Sequence, residues 1–198
     1  MTRIATRRLL LRPLARDDLD WVTQAAGDLE VSRWLTRVPH PYGRADAEAF
    51  LAAVEAGELG VLWVITEDRR PIGIISIGEE LGYWLEPRVW GRGIATEAAR
   101  AAIGAAFRDP ERQEILSGHF EENAASRRVL EKLGFEDCGL RTLTPMSLGK
   151  DVASRAMILK RATWDTAFAA LTYRDLGPGD ADALHRIAAP WDVTRQLG

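Results

Sequence analysis

Gly82-Tyr-Trp-Leu-Glu-Pro-Arg-Val-Trp-Gly-Arg-Gly-Ile-Ala-Thr-Glu-Ala98 is the stretch that decides the fold. Residues 82–85 read as the end of a strand, and Pro87 stops regular pairing. Gly91 and Gly93 break the chain twice, and from Ile94 onward Ala, Glu and Arg favour a helix. A strand that turns through glycines into a helix presents bare backbone N–H groups at the helix's positive end, which is a seat for phosphate. Without side chains at 91 and 93, a ligand can lie directly on the backbone. A P-loop would place a lysine after its second glycine, and none follows here. A dinucleotide fingerprint would place a third glycine where Thr96 stands.

The surrounding chain bounds the answer. Its 198 residues, 46 % of them hydrophobic, suffice for one sizeable core. The net charge of −3 is spread over mixed signs with no basic block, so no nucleic-acid partner is expected. Cys138 is the only cysteine, which excludes an internal disulfide and a thiolate metal site; no metal is expected. No apolar run approaches the length of a membrane span, so no membrane partner is expected. The first eight residues lack the apolar centre of a signal peptide, and a cytoplasmic protein is the expectation.

In order, Arg8–Leu14 reads as a short strand closed by Pro13. Asp17 and Asp18 open a helix whose apolar face is Leu19, Val22, Ala25 and Ala26. Residues 30–35 add a turn or two of helix, 39–42 an extended linker around two prolines, and 45–56 another helix stopped at Gly57. Residues 61–66, 71–77 and 81–85 form a three-stranded meander. The glycine loop leads into a helix over 94–107, followed by a strand over 114–119. Asn123 caps a helix that runs to Leu133 and stops at Gly134. Strands over 135–142 and 155–161 close the unit, giving a mixed α/β (α+β) architecture with helices against a sheet.

Four blocks together resemble the GNAT N-acetyltransferase superfamily, in particular its RimJ/RimL-like branch. They are Arg8-Leu-x-Leu-Arg-Pro-Leu14, Leu81-Gly-Tyr-Trp-Leu85, Arg88-x-x-Gly-x-Gly-x-Ala95 running on to Glu97, and Asn123-x-x-Ser126 with Glu131-Lys-Leu-Gly-Phe135. The third is similar to the family's acyl-CoA pyrophosphate loop. The resemblance covers residues 7–161 and implies the GNAT acyl-CoA N-acyltransferase fold: a central mixed sheet with two splayed parallel strands, flanked by helices. It implies acetyl-CoA as cosubstrate, lying between Leu81–Leu85 and Glu114–His119. The cofactor-binding residues it implies are Tyr83, Trp84 and Leu85 on the strand, and Gly91, Gly93, Ile94, Ala95 and Thr96 in the loop. Asn123 and Ser126 join them from the later helix. Arg88 and Arg92 are either charge-assisted contacts to the pyrophosphate or solvated surface, and Asn123 is a pantetheine contact, a plain N-cap or both.

The implied reaction is direct attack of a neutral amine on the thioester, with a backbone N–H near Leu85 facing the oxyanion. Deprotonating a lysine amine of pKa about 10.4 at pH 7 costs about 4.6 kcal/mol, against about 1.1 kcal/mol for an α-amine near 7.8. An α-amino acceptor therefore needs much less help from a base. Ser126 matches a family serine that protonates the departing thiolate; its alternative is an ordinary polar residue in a first helical turn. Glu80 is a candidate to take the amine proton through water, or else part of a solvated hairpin tip. His119 has a pKa suited to base work, or is a strand-end histidine bonded to backbone. The helix 123–135 holds no counterpart of the tyrosine acid found in many of these enzymes.

Residues 1–162 are thus expected to form the acetyltransferase domain. Residues 172–197 align without a gap on 10–35, repeating Arg12, Leu14, Asp18 and Asp20 as Arg174, Leu176, Asp180 and Asp182. Residues 163–198 accordingly resemble the first strand and helix of a second repeat, or are a simple strand–helix appendage. An unpaired strand there must find an edge, which makes a homodimer through this segment an expectation. The acceptor is expected to be an amine, either a protein N-terminus as in RimJ/RimL or a small aminoglycoside- or polyamine-type molecule. A non-catalytic acyl-CoA-binding module is the remaining alternative.

Overall fold

A computed structural model describes residues 3–168. The N-terminal half builds a five-stranded antiparallel sheet in the order β1-β2-β3-β4-β5, from Ile4–Ala5, Leu10–Arg12, Val61–Glu67, Arg70–Ile77 and Leu81–Leu85. The C-terminal half builds a three-stranded sheet in the order β6-β8-β7, from Glu114–Phe120 (β6), Glu136–Leu143 (β7) and Val152–Lys160 (β8). The two sheets meet at β5 and β6 through one isolated parallel bridge, Glu80 to Leu116. The splayed parallel pair implied by the sequence is thus present, and it lies at the junction of two sheets.

Helices α1 (Leu19–Gly27), α2 (Leu29–Ser32) and α3 (Arg44–Glu55) lie between β2 and β3 in the chain. Leu19, Val22, Ala47, Leu51 and Val54 of this group close over Leu62, Val64 and Ile74 on one face of the first sheet. The other face is covered by α4 (Ile94–Ala106) and α5 (Ala124–Lys132). The small residues Ala98, Ala99, Ala101 and Ala102 are fully buried there against Ile72, Ile75, Leu81 and Leu85. Removing such apolar surface from water is the main drive to this packing. Small side chains let the α4 backbone sit close to the sheet, and α5 adds Leu130 to the same core, followed by Leu133 just past its end.

Three features depart from the sequence reading. Strand β1 is a two-residue element paired through Ile4 and Ala5, too short to leave a periodic signal. Asp17 and Asp18 sit in a short 3-10 turn, and buried Asp18 accepts both Arg12 Nη atoms at 2.7 Å; its carboxylate serves an ion pair as well as a helix start. Helix α6 (Arg161–Phe168), an element the sequence reading did not place, runs on from β8. Its Trp164 is buried and tilts against Phe107 with ring centroids 6.0 Å apart. The repeat proposed for 172–197 lies outside the described residues.

Candidate active site

The cleft follows from the ladder on either side of it. Antiparallel pairing sends successive backbone N–H and C=O pairs to opposite edges of a strand. On β5, pairing to β4 fixes Trp84 against Ile74, while Glu86 N–H donates to Ile72 O at 2.9 Å. The backbone groups of Leu81, Tyr83 and Leu85 therefore point toward β6. Leu81 O accepts the Ser117 hydroxyl at 2.9 Å, and Leu85 O accepts Trp90 Nε1 at 2.8 Å. By the same alternation on β6, Leu116, Gly118 and Phe120 face β5, and Phe120 O accepts the Asn123 N–H at 2.8 Å. Beyond the single bridge the strands part, and the amides of Tyr83, Leu85 and Gly118 face one another across the gap. Buried amides require partners, so the gap suits a ligand that carries amides of its own.

At the open end of the gap lies the glycine loop. Gly91 and Gly93 adopt φ of 74° and 75°, the left-handed region that a β-carbon disfavours. An added Cβ at Gly91 would meet nothing within 4 Å, so backbone conformation sets the requirement there. Gly93 is the N-cap of α4 and supplies no side-chain cap, which leaves the first-turn N–H groups of Ile94, Ala95 and Thr96 for an anion. Arg88 pairs with Glu86 and Arg92 with Glu67, the latter at 2.9 Å, so both flank the loop while engaged to carboxylates. Arg8 is a cation with no site role in the sequence reading. Its Nη1 donates to Arg92 O at 3.0 Å and its Nε to Glu97 at 2.7 Å, and Thr6 donates to the same carboxylate at 2.6 Å. Burial works to raise the Glu97 pKa, but the hydrogen bonds from Thr6 and Arg8 outweigh it and hold the group below its ordinary value. This bracket pins the start of α4 to the β1–β2 turn.

Across the gap, Asn123 caps α5 by accepting the Ser126 N–H at 2.9 Å. Ser126 Oγ lies 2.9 Å from the Tyr83 hydroxyl, a contact spanning 43 residues. Burial pushes the Tyr83 phenol up to about 12, with the Ser126 hydrogen bond working against that rise. The sequence named both residues without joining them. The available signal was strand parity, which puts Tyr83 on the same face as buried Leu81 and Leu85, the face that α5 covers.

The opposite face of β5 carries Glu80 and Trp84. Glu80 is held by both Arg141 Nη atoms, with the Nη2 contact at 3.1 Å. Arg141 belongs to β7 and crosses β6 over Gly118 to reach it; an added Cβ at Gly118 would stand 2.2 Å from Arg141 Nη2. Trp84 stacks on Trp21 at 5.4 Å, Trp21 Nε1 donates to Glu86 at 2.6 Å, and Trp34 tilts against Phe120 at 6.4 Å. The β7–β8 loop closes this side: Met146 N–H donates to Thr36 O at 3.0 Å and Ser147 Oγ to Ser32 O at 2.9 Å. His119 is placed elsewhere. It is buried, its Nδ1 lies 2.9 Å from Phe120 O, and it lines a pocket of about 380 Å³ with Arg127, Glu131, Asp137 and Arg155. By strand parity His119 shares the sheet face of Ile115 and Ser117, opposite the Leu116 side on which Glu80 lies, so the sheet separates His119 from Glu80.

Residues 8–136 match the family model described as the acetyltransferase (GNAT) domain. The chain belongs to the GNAT acetyltransferase family. As a GNAT enzyme it is an acetyl-CoA-dependent N-acetyltransferase, in keeping with its curated relatives. It is 35 % identical over 82 residues to the Bacillus subtilis probable N-acetyltransferase YjcK, a match covering 37 % of this chain and 45 % of that relative. It is 29 % identical over 139 residues to the uncharacterized B. subtilis N-acetyltransferase YnaD, covering 66 % of this chain and 81 % of YnaD. Among solved structures, a T. thermophilus protein described as an acetyltransferase superposes with a TM-score of 0.72 at 26 % identity, over 86 % of this chain and 95 % of that one. Mycobacterium smegmatis RimJ, solved with CoA-disulfide, shares the fold at a TM-score of 0.65 and 20 % identity, over 85 % and 93 % of the two chains. Among the described residues of this GNAT domain, no cluster of three His, Cys, Asp or Glu side chains could hold a metal ion. No helix among them is long and apolar enough to cross a membrane.

Proposed function

We propose that this GNAT enzyme acetylates an α-amine, as at a protein N-terminus, in the manner of the RimJ/RimL-like branch. One observation carries the choice: the candidate carboxylate Glu80 is engaged by both Nη atoms of Arg141, and His119 is buried with its Nδ1 against Phe120 O. A site whose candidate bases are so engaged favours an acceptor that loses its proton at small cost. At pH 7 an α-amine needs about 1.1 kcal/mol to lose its proton and a lysine or polyamine amine about 4.6 kcal/mol.

Acetyl-CoA supplies the activated thioester. The N–H groups from Gly91 to Thr96 hold its pyrophosphate, with Arg88 and Arg92 lending positive charge beside the loop. The edges of Tyr83, Leu85 and Gly118, with Asn123, take the amide-bearing arm, while Trp84, expected beside them, pairs with β4 and stacks on Trp21 instead. The Leu85 N–H faces the developing oxyanion, and the Ser126 hydroxyl faces the departing sulfur. Glu80 still has lone pairs beyond those used by Arg141, and these accept an N–H of the incoming amine and orient it. His119 takes no proton in this scheme.

Thiol release from acetyl-CoA, measured against a panel of amines, tests the reading. Peptides with a free N-terminus should give the highest kcat/KM. N-blocked lysine peptides, spermidine and an aminoglycoside should fall at least tenfold below them. A polyamine or aminoglycoside at the top of the panel overturns it.

A further inference from the structure

Tyr83 is in place to control how the Ser126 proton points. Its hydroxyl lies 2.9 Å from Ser126 Oγ and 3.4 Å from the Ser126 carbonyl oxygen, so Oγ is the better acceptor. Among the described residues Tyr83 is the one hydrogen-bond partner of Ser126 Oγ, while the Ser126 backbone N–H is taken by Asn123 Oδ1 at 2.9 Å. A serine hydroxyl rotates freely and can both donate and accept. When a fixed phenol fills one lone pair, the serine proton has to point away from it. Tyr83 is half-buried on β5, with Leu81 and Leu85 buried on either side in the strand, so its ring has little freedom to follow a rotating serine.

We propose that Tyr83 is a positioning residue for acyl transfer: its hydroxyl donates to Ser126 Oγ and turns the Ser126 proton into the gap between β5 and β6, toward the departing sulfur. This rests on the reading of Ser126 as the group that faces that sulfur. In the step itself the amine nitrogen bonds to the acetyl carbon, the carbon–sulfur bond breaks with its electron pair staying on sulfur, and the amine's surplus proton leaves to solvent. The Ser126 O–H hydrogen bond carries the sulfur's charge until solvent returns a proton. Tyr83 gives up no proton. A phenol near 12 facing a thiol near 8.5 is mismatched by about 3.5 pK units, roughly three-thousand-fold against transfer.

Tyr83→Phe keeps the ring and removes the hydroxyl, and Ser126→Ala removes the partner. Tyr83→Phe should lower kcat about three- to tenfold, with KM for acetyl-CoA changed by less than twofold. In the Ser126→Ala background the same change should move kcat by less than twofold, because the two residues act as one unit. Equal losses in both backgrounds, or full activity in Tyr83→Phe, overturn the proposal. Full activity in Ser126→Ala overturns it together with the reading of Ser126. A second measurement needs no acceptor: ultraviolet titration of the thiol of bound CoA. Ser126→Ala should raise that thiol's pKa by about half a unit, Tyr83→Phe by the same amount, and the pair by no more than either alone. An unmoved thiol in Tyr83→Phe sinks the proposal even if the acceptor class is wrong.

Discussion

Replacing Gly118 with alanine tests the arrangement at the floor of the cleft. The new methyl would stand 2.2 Å from Arg141 Nη2, 3.0 Å from its Cζ and 2.8 Å from the carbonyl oxygen of Arg155. The guanidinium can swing aside, and in doing so it releases Glu80. The Arg155 oxygen cannot, because Arg155 is fixed opposite His119 in the β6–β8 ladder. Overpacking of this kind costs about 1–3 kcal/mol. The Glu80–Arg141 pair, its side chains 40 % and 29 % exposed, adds at most about 1 kcal/mol once solvent screening is allowed for. With roughly 2–4 °C of melting temperature per kcal/mol at this size, a loss of about 2–16 °C is expected by calorimetry. Arg141→Ala alone should lose only about 2–4 °C. The double variant should be no less stable than Gly118→Ala, since the clash with Arg141 has gone. A Gly118→Ala protein melting within about 1 °C of the parent, or strictly additive losses, refutes the crossing of Arg141 over Gly118.

Gly93→Ala forces alanine into left-handed backbone at about 1–2 kcal/mol. Shifting the α4 N–H groups should weaken CoA binding roughly tenfold or more by isothermal calorimetry. Trp164→Ala should cost about 3–5 kcal/mol in denaturant unfolding. Truncation after 168 should keep that stability and truncation after 162 should lose it. Tyr42 and Tyr83 both titrate near 12, chiefly through burial, with Asp46 adding to the rise at Tyr42. Each is protonated in both states below about pH 10. Above it the unfolded phenol ionises first, so stability present below pH 10 is lost as pH rises toward 12. The loss reaches up to about 3 kcal/mol at Tyr83 and less at Tyr42, the less deeply buried phenol, where solvent screens the shift. Tyr83→Phe should flatten that fall in urea midpoints by at least half.

The glycine loop, the Asn123 cap and the strand order were legible because each is written in local chemistry: a φ that needs glycine, a side-chain cap, an alternation. The contacts that join them were not. Arg141 and Glu80 are 61 residues apart, Arg8 and Glu97 are 89 apart, and nothing local marks either pair. Glu80 read as half of a solvated hairpin tip because its partner sits three strands away, on β7 of the other sheet. His119 shows the opposite limit. Its residue type suited base work, and the parity of β6 puts its buried ring on the sheet face opposite Glu80, a placement that rests on the pairing of β6 with its neighbours and not on any local pattern.

The meeting of the two sheets has a consequence for motion. Strands β1–β5 all precede residue 86, and β6–β8 all follow residue 113. Each set closes its own ladders, and one bridge, the Ser117 hydroxyl and the arm of Arg141 hold them edge to edge. The donor's seat is therefore a seam between two ladders that share one core without continuous pairing at their edges. Amides along that seam, those of Tyr83, Leu85 and Gly118, should exchange with deuterium long before those inside either ladder. A bound donor stitches the halves together, so protection there should rise with its concentration by mass action.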